Sequence, residues 1–511
     1  MKTDVFLQSF AIFFEQPLML LVAVFAVAAG IIMGALPGVS STMALAILLP
    51  ITFGLEPNIA IMLLILVLVS SVFGGSISAI LINIPGTPGA IVTQFDGYPM
   101  ARQGKAGLAL GHALIGSTVG GVLGVFALML IAPVIAQSAM SFRSPEFAML
   151  ALFGIVLLAY TAEGAMLAGL LSGAIGLMLG MVGFDTVTGV ARYEFGTSVL
   201  QNGIHLIPLT IGIFGFSEVL CNLMDAKTRV RSQVSAIQRI IPSRLELLNV
   251  WPGWLRGSAI GTLVGAIPAA GSAISVAIAY ALERRFTRRP LVGFGKGEPR
   301  GIAAPEAANS AASGGTTIPM VTLGIPGDSM TAILIGALII HGLQPGPTLF
   351  AENPEIVGAI YGSLFLGVLL TFLIGLVALR WIVHVLKLPS NVMMVLIALL
   401  CMVGAYAIRN NMVDLVGMIV IGGMGFMMIR LNIPIAPLVF GLILGPLLEE
   451  NLRRSLMISR GSWTVFLERP VSLAIILIIV LVFVASFIGW MRKRKRSAPE
   501  ILPGSARPSK D

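Results

Sequence analysis

The sequence interrupts its apolar pattern in the same way at two places, "GALPGVSST" at residues 34–42 and "GAIPAAGSA" at residues 265–273. Each stretch places a proline among glycines and small residues inside a long apolar run. Proline lacks the backbone N–H and glycine is conformationally loose, so both residues interrupt helices. The two stretches start 231 residues apart and predict two interrupted helices in related surroundings.

The composition around these breaks is typical of a membrane protein. The 511 residues are 57% hydrophobic and 11% charged, with a mean hydropathy of +0.98. Apolar stretches of about twenty residues recur along the chain, which predicts an all-α polytopic protein embedded in the lipid bilayer. The short alternating segments of a β-barrel are not visible. The 58 glycines and 29 prolines favour discontinuous helices in close contact.

The charge pattern fits membrane insertion better than nucleic-acid binding. The formal charge is +9, but much of it lies in short loops between apolar runs, as the positive-inside rule predicts. Cys221 and Cys401 border or lie in apolar sequence, so neither a disulfide framework nor a metal cluster is expected. The N-terminus lacks a cationic region and a clear cleavage site, and we expect no removed signal peptide.

About 11 spanning segments are predicted, together with two re-entrant hairpins at 17–53 and 257–282. The spans are 58–84, 107–137, 145–161, 163–183, 203–222, 303–342, 357–384, 390–408, 413–430, 433–448 and 471–490. The predicted order of units is a first repeat (1–222, with hairpin 17–53 and broken helix 58–94), a basic cytoplasmic linker (223–256), a second repeat (257–448, with hairpin 257–282 and broken helix 303–342), a loop and last span (449–490) and a basic cytoplasmic tail (491–511).

Loop charges give the orientation. Loops 223–256 and 283–300 are rich in Lys and Arg, so both are predicted to be cytoplasmic, like the C-terminal tail. The 26 residues between these loops, interrupted at Pro268-Ala-Ala-Gly271, are too few for two spans of about twenty residues each. We therefore expect a hairpin whose tip lies within the membrane, surrounded by protein or a water-filled cavity.

One region conflicts with this count. Residues 449–470 fall on the outside, yet they carry Arg453, Arg454, Arg460 and Arg469 beside three glutamates. Either 433–448 does not span, or this loop violates the positive-inside rule.

A second pair of motifs shows that the chain is internally duplicated. "SVFGGSISAILINIPGTPGA" (71–90) resembles "AASGGTTIPMVTLGIPGDSMTA" (311–332), with Gly-Gly pairs 240 residues apart and Ile-Pro-Gly turns 241 apart. The first repeat ends at Arg102 and Lys105, whereas the second begins between basic loops and ends at Glu352 and Glu355. The repeats are therefore predicted to be inverted, the architecture of secondary transporters.

The breaks offer chemistry for an anion and a cation. Outgoing half-helices expose unpaired N–H groups and a partial positive charge, which can bind carboxylates without a buried Arg or Lys. The predicted substrate-binding residues are Ser40, Ser41, Thr42, Gly86, Thr87, Gly271, Ser272, Gly327 and Ser329. Incoming half-helices expose carbonyls that, with polar side chains, suit Na⁺. The predicted ion-binding residues are Asn83, Asn309, Ser313, Thr316 and Asp328.

Structural explanations compete with these assignments. Small residues and prolines also serve helix packing and kinks. Glu306 is an intramembrane acid or only faces the cytoplasm, and Asp328 caps a half-helix or binds the coupling ion. Glu163 and His112 are predicted to be interfacial, and His205 and His341 lie at loop edges.

Enzyme signatures are not apparent. "GFGKGEPRG" (293–301) is Gly-rich but lacks the spacing and the Lys-Ser/Thr end of a phosphate loop. We expect this stretch to be a flexible cytoplasmic loop. We also expect the protein to have no enzymatic activity and no cofactor other than a coupling ion. Transport would then be driven by an ion gradient rather than by ATP.

Three long stretches resemble the large membrane subunit of tripartite tricarboxylate transporters. They are "GALPGVSSTMALAILLPITFGLEP", "INIPGTPGAIVTQFDGYPMARQGKAGLAL" and "APEAANSAASGGTTIPMVTLGIPGDSMTAILIGALIIHGLQPGP". The resemblance covers the chain to about residue 470 and implies a bacterial inner-membrane protein. It further implies a small integral membrane subunit and a periplasmic solute-binding protein as partners, uptake of citrate or related organic carboxylates, and Na⁺ or H⁺ coupling. An elevator-type motion follows by analogy with related two-hairpin carriers.

Two other functions remain open. An anion-conducting channel predicts a continuous pore lined by rings of like residues. A non-transporting scaffold subunit needs no paired intramembrane breaks.

Overall fold

The computed structural model describes residues 17–496, apart from 162–165, 186–187, 198–199, 202, 226–238, 269 and 386–389. Glu163 and the tail residues 497–511 lie outside the described residues. The described chain is mostly helical, with one short pair of strands, as expected for an all-α membrane protein. Five of its helices are long and apolar enough to cross a membrane, and several shorter apolar helices accompany them. The larger number of spans stays a prediction.

The first half contains α1 (Pro17–Ala35), α2 (Ser41–Thr52), α3 (Pro57–Ile82), a 3-10 turn (Pro88–Ala90), α4 (Gln94–Met100), a π-helical turn (Ala101–Lys105), α5 (Ala106–Ala139), α6 (Ser144–Thr161), α7 (Met166–Gly180), β1 (Gly183–Phe184), β2 (Ala191–Arg192), α8 (Leu206–Thr210), a π-helical turn (Ile211–Phe216) and α9 (Ser217–Asp225). The strands β1 and β2 form a small antiparallel pair in which Gly183 lies opposite Arg192.

The second half contains α10 (Arg244–Gly265), α11 (Gly271–Phe286), α12 (Arg300–Leu323), α13 (Ser329–Ile340), α14 (Pro347–Glu352), α15 (Pro354–Val385), α16 (Ser390–Ala407), α17 (Met412–Arg430), α18 (Ala436–Ile458), α19 (Val465–Glu468) and α20 (Pro470–Arg496). The helices on either side of the first breaks are α1 and α2 in one half, and α10 and α11 in the other. The helices before the second breaks are α3 and α12.

Each helical hairpin packs on the broken helix of its own half, in matching register. A Cβ on Gly30 of α1 would lie 2.9 Å from the carbonyl oxygen of Val67 on α3. A Cβ on Gly261 of α10 would lie 2.2 Å from the carbonyl oxygen of Ala308 on α12. Gly30 and Gly261 are 231 residues apart, and Val67 and Ala308 are 241 residues apart. These are the same offsets that separate the first breaks and the Ile-Pro-Gly turns of the two halves. Such close backbone approach needs small residues at the contact.

The second hairpin is longer than predicted. Residues 244–256, expected to be part of a basic loop, form the first turns of α10. The helix starts there because Ser243 and Glu246 form a reciprocal capping box, in which the Glu246 carboxylate accepts the Ser243 N–H at 2.6 Å. Arg256 on this arm donates two hydrogen bonds of 2.9 Å to Glu283 on the other arm. The hairpin therefore runs from 244 to 286.

Each half packs segments against the broken helix of the other half. The segment after the second break of the first half contacts α11 and α12, whereas α13 contacts α2 and α3. Likewise α5 packs along α12, and α15 packs along α3. Each half therefore completes the surroundings of the other half's broken helix.

Long-range polar contacts join loops that the charge count places on the same side. Gln103 donates to the Lys296 carbonyl at 2.8 Å, and both loops are predicted to be cytoplasmic. At the other end of the molecule Arg453 donates to Asp185 at 2.6 Å, and Arg192 pairs with Glu449 at 2.6 Å. The hydrogen bond to Glu449 raises the pKa of Arg192 above its ordinary value.

The region that conflicted with the positive-inside rule forms several ion pairs. Residues 449–458 are not loop but the last turns of α18. Arg453, Arg454 and Arg469 each form an ion pair, with Asp185, Glu450 and Glu146 respectively. Because the rule counts Lys and Arg and gives little weight to acidic residues, these ion pairs leave the conflict in place, and the topology of 433–490 stays a prediction.

The Gly-rich loop before α12 is ordered by a buried carboxylate, contrary to the flexible loop expected from sequence. Asp96 is fully buried, and its Oδ1 accepts N–H groups from Gly295, Gly297 and Glu298 at 2.8–3.0 Å. Tyr280 donates its hydroxyl to Oδ2 at 2.9 Å. We call this arrangement the Asp96 clasp. It fixes the start of α12 to α4 of the other half.

Candidate functional site

The second break has the same backbone form in both halves. Helix α3 ends at Asn83 (φ 59°) and α12 ends at Gly324 (φ 70°), both in the left-handed conformation. An Ile-Pro-Gly turn follows each of them, and then an extended residue, Thr87 or Asp328, precedes the next helical turn. Since a left-handed residue ends a helix and proline cannot continue it, the motif stops each helix and starts another in a fixed direction.

All four breaks meet at one central cavity of about 160 Å³. Residues of both hairpin tips and of both second breaks line it, and Val72 and Leu158 add apolar walls. The lining consists of Ser41, Thr42, Val72, Thr87, Pro88, Leu158, Ala270, Gly271, Ser272, Ala273, Asn309, Asp328, Ser329 and Met330. The predicted convergence of the breaks is therefore present in the structure.

Three polar side chains in this lining lack hydrogen-bond partners within the described part of the chain. They are the Ser41 hydroxyl, the Thr87 hydroxyl and both amide atoms of Asn309. Each residue is at most 5% exposed. An unsatisfied buried polar group costs on the order of 1–3 kcal/mol, so such groups are rare and call for an explanation. A polar ligand in the cavity would satisfy all three.

Helix N-termini supply the positive end of the site. Helices α2, α11 and α13 and the 3-10 turn each present their first residues to the cavity. The N–H groups in these first turns that no side chain caps, together with the partial positive charge of each end, favour an anion. Gly89 brings the two halves together here, because a Cβ on it would lie 1.9 Å from Asn309 Oδ1 and 3.0 Å from Ser272 Oγ.

Asp328 has a structural role at the cavity edge. Its Oδ1 accepts the Thr331 N–H at 2.9 Å and the Thr331 hydroxyl at 2.8 Å, which caps α13. A capping carboxylate stabilises a helix N-terminus. Asp328 also lines the cavity, so the cap lies beside the candidate ligand site.

Six of the predicted site residues are not part of the cavity lining. Ser40 donates to Glu218 at 2.7 Å and caps α2, and Asn83 is exposed at the end of α3. Gly86 donates its N–H to the Gly75 carbonyl at 3.2 Å. Gly327 packs against Thr316, whose hydroxyl donates to the Ser313 carbonyl at 3.4 Å. The five predicted ion-binding residues thus do not form one cluster.

Sequence analysis missed the residues that hold the first hairpin tip. Besides Glu218, which accepts from Ser40, Asn222 of α9 donates to the Gly38 carbonyl at 2.9 Å. The available signal was an acid and an amide, four residues apart, inside the apolar run 203–222. In the described residues, no group of three or more His, Cys, Asp or Glu could hold a metal ion.

Glu306 lies in the protein interior rather than at the cytoplasmic surface. It is fully buried on α12, one turn before Asn309. Its Oε1 accepts the Ser76 hydroxyl at 2.7 Å and the Thr93 hydroxyl, and its Oε2 accepts the Ser117 hydroxyl at 3.3 Å.

Comparison with known proteins gives a consistent result. The model of the "Tripartite tricarboxylate transporter TctA family" matches residues 20–440. An Agrobacterium vitis protein described as an uncharacterized 52.8 kDa protein in the TAR-I ttuC′ 3′ region is 35% identical over 466 residues, covering 91% of this chain and 92% of the relative. A second Agrobacterium vitis protein, from the TAR-II ttuC′ 3′ region, is 37% identical over 216 residues, 42% of this chain and 89% of the relative. No solved structure matches.

Proposed function

Because the chain belongs to the tripartite tricarboxylate transporter TctA family, we propose that it is the subunit through which an organic carboxylate crosses the membrane. The substrate binds in the central cavity between the two halves. The family is one of transporter components and not of enzymes. Citrate-like tricarboxylates and related dicarboxylates are the proposed substrates.

One observation supports this proposal most directly. Unpartnered polar side chains from both halves, the N-termini of three helices and one 3-10 turn surround one cavity. A carboxylate accepts hydrogen bonds from backbone N–H and hydroxyl groups, and no buried Arg or Lys is needed when helix N-termini face it. Ser41, Thr42, Thr87, Asn309, Gly271, Ser272 and Ser329 are the proposed substrate contacts.

The depth of the cavity suits a carrier. From Arg256, the last charged residue of α10, to the end of that helix at Gly265 is a rise of about 14 Å. That distance is about half of the hydrocarbon core, which is about 30 Å thick. A site at the midplane between repeats of opposite orientation supports alternating access, and we propose an elevator-type movement of the two hairpins with their broken helices.

The proposed membrane, partner subunits and energy source are those implied by the family. The chain is a multi-pass membrane protein, and we place it in the bacterial inner membrane with its C-terminus in the cytoplasm. A small integral membrane subunit and a periplasmic solute-binding protein are the proposed partners. Uptake is driven by an ion gradient.

The direct test is uptake of labelled organic acids by proteoliposomes that contain this chain and both partner subunits. Citrate, a four-carbon dicarboxylate and an aromatic carboxylate serve as substrates. We expect saturable uptake of at least one acid that rises above the external concentration when an H⁺ or Na⁺ gradient is imposed. Flux that only equilibrates the acid under every gradient indicates a channel, and complete absence of flux and of ligand binding contradicts the proposal.

A further inference from the structure

The buried carboxyl group of Glu306 lies at the interface between the two halves. Glu306 belongs to α12 of the second half, but its three hydrogen-bond donors belong to the first half. Ser76 is on α3, Thr93 follows the second break, and Ser117 is on α5. Ser310, four residues further along α12, donates to the Ser117 hydroxyl at 2.8 Å.

Among the described residues, Glu306 has no ion-pair partner. The elements packed against α12 carry other titratable or charged groups: His112 on α5, Arg244, Glu246 and Arg256 on α10, Tyr280, Glu283, Arg284 and Arg285 on α11, Asp96 and Tyr98 on α4, Asp328 before α13, and Glu352 on α14. Helix α3 carries none. Asp96, Glu283 and Asp328 are engaged by the clasp, by Arg256 and by Thr331, respectively.

An ionised carboxylate buried without a cation is costly, even with three hydrogen-bond donors. Such a group is stable in the bilayer core when it binds a proton or a cation. Hydroxyl groups lie within hydrogen-bonding distance of both oxygens of Glu306, so the carboxyl group is surrounded by direct contacts. That enclosure accommodates a proton, whereas a metal cation requires several oxygen ligands arranged around itself.

We propose that Glu306 is the proton-binding site that couples substrate movement to the H⁺ gradient. This inference rests on the proposed transport function and assigns the coupling ion and its residue. A proton taken up from water adds to Oε2 of the carboxylate and forms the neutral acid. Its new O–H donates to Ser117, whose hydroxyl hydrogen turns away, while Ser76 and Thr93 continue to donate to Oε1. The reverse step releases the proton to water.

The position of Glu306 relative to the cavity determines whether proton binding favours or opposes substrate binding. Asn309, three residues further on, lies on the same face of α12 and lines the cavity. A substrate carboxylate there repels an ionised Glu306 through a medium of low dielectric constant. Substrate binding therefore favours the protonated acid, and proton binding favours the substrate. Reciprocal binding of this kind moves proton and substrate in the same direction.

Protonation also changes the contact that joins the halves. Thr93 follows the second break of the first half, so its hydrogen bond to Glu306 holds that segment against α12. The ionised carboxylate accepts three hydrogen bonds at this junction, and the acid accepts two and donates one. Charge-assisted hydrogen bonds are roughly twice as strong as neutral ones. The proton therefore loosens the attachment of the segment that carries Thr87 to the cavity.

The experiment compares the wild-type chain with Glu306→Gln in the complete three-component proteoliposomes. Glutamine keeps the size of the side chain and, like the neutral acid, both accepts and donates hydrogen bonds, but it cannot exchange a proton. We expect the wild type to accumulate substrate under a pH gradient alone, and Glu306→Gln only to equilibrate it. Exchange of labelled for unlabelled substrate should remain within about threefold of the wild type, because the cavity is intact. Glu298→Gln removes another fully buried carboxyl group and is the matched control; it should still accumulate substrate.

The outcomes separate this inference from the transport function. Accumulation by the wild type under a Na⁺ gradient at equal pH, or by Glu306→Gln under a pH gradient, overturns the assignment and leaves the transport function intact. Failure of the wild type to move any organic acid overturns the transport function itself. If Glu306→Gln does not fold, Thr93→Val serves instead. Loss of one donor to the ionised form should shift the pH midpoint of uptake upward, and an unchanged midpoint contradicts the proposal.

Discussion

At the scale of single residues, Asn309 is the most informative position in the cavity. Its amide is almost completely buried, lacks a partner among the described residues and lies where the two halves touch. Asn309→Leu keeps the branched shape and the number of heavy atoms of the side chain and removes its polar atoms. We expect substrate affinity to fall at least tenfold, because one buried hydrogen bond of about 1.5 kcal/mol is lost. The melting temperature should stay unchanged or rise. Isothermal titration of the purified chain with citrate measures the affinity.

The matched control for Asn309 is Thr322→Val on the same helix. The Thr322 hydroxyl is buried but donates to the Ile318 carbonyl at 2.7 Å, away from the cavity. Substrate affinity of this variant should equal that of the wild type. Equal affinity losses in the two variants would show that α12 affects binding only through its general integrity.

Gly89 provides a second test at the same scale. An added methyl group would overlap the end of the Asn309 side chain at 1.9 Å, and a side-chain end can move aside more easily than backbone. Gly89→Ala should therefore displace the amide from the cavity and weaken substrate binding about tenfold or more, with a small change in melting temperature. Gly417→Ala, which has open space around it, is the control in the same binding assay. Unchanged binding by Gly89→Ala contradicts a role for the Asn309 amide.

At the scale of elements, the Asp96 clasp determines how the start of α12 is held. Three N–H groups converge on one carboxylate oxygen, an arrangement of charge-assisted hydrogen bonds. Asp96→Ala should release the backbone of loop 287–299, so that trypsin cuts after the exposed Lys296 at least fivefold faster, because a loss of about 1–3 kcal/mol favours the open loop. Limited proteolysis followed by mass spectrometry locates the cut. The exposed Glu352→Ala is the control, and equal cleavage rates in the two variants would show that the clasp does not order the loop.

The same elements show which parts of the site were predictable from sequence. The Gly-Gly and Ile-Pro-Gly motifs recur at nearly one offset, so the second breaks and their convergence followed from residues such as Pro85 and Pro326. The start of α10 carried a local signal, the Ser243-Arg-Leu-Glu246 capping box, which a charge count alone overlooked. In contrast, Ser40 meets Glu218 178 residues away, and no local pattern encodes such a partner.

The ion-site prediction grouped polar residues by their nearness to a break, but polar residues near a break need not share a face. Asn83 takes the left-handed conformation that ends α3 and is exposed, a role that asparagine fills because it tolerates positive φ. Thr316 lies under Gly327 and donates within its own helix. The buried acid that does join the halves, Glu306, is revealed by burial and by its three donors, which only the packed structure supplies.

At the scale of the whole molecule, the polar contacts between loops predict the sidedness of the chain. With Cys221 and Cys401 replaced by alanine, single cysteines at the exposed positions Thr197, Ser462, Gln103 and Lys296 can be labelled in intact cells. A membrane-impermeant thiol reagent should label Thr197→Cys and Ser462→Cys, and reach Gln103→Cys and Lys296→Cys only after the cells are opened. Labelling of positions 103 and 296 from opposite sides would contradict both the contact between them and the inverted repeats.

The reciprocal packing of the two halves also has a consequence for biosynthesis. The ribosome delivers α1 to α9 to the membrane well before α11 and α12 exist, so the first hairpin and its polar break enter the bilayer without the surfaces that later cover them. Ser41 and Thr87 must remain shielded during this interval, by water at the insertion machinery or by a chaperone. The cavity is therefore completed late in synthesis, and a chain stalled before residue 271 presents an unfinished polar surface that quality-control proteases can recognise.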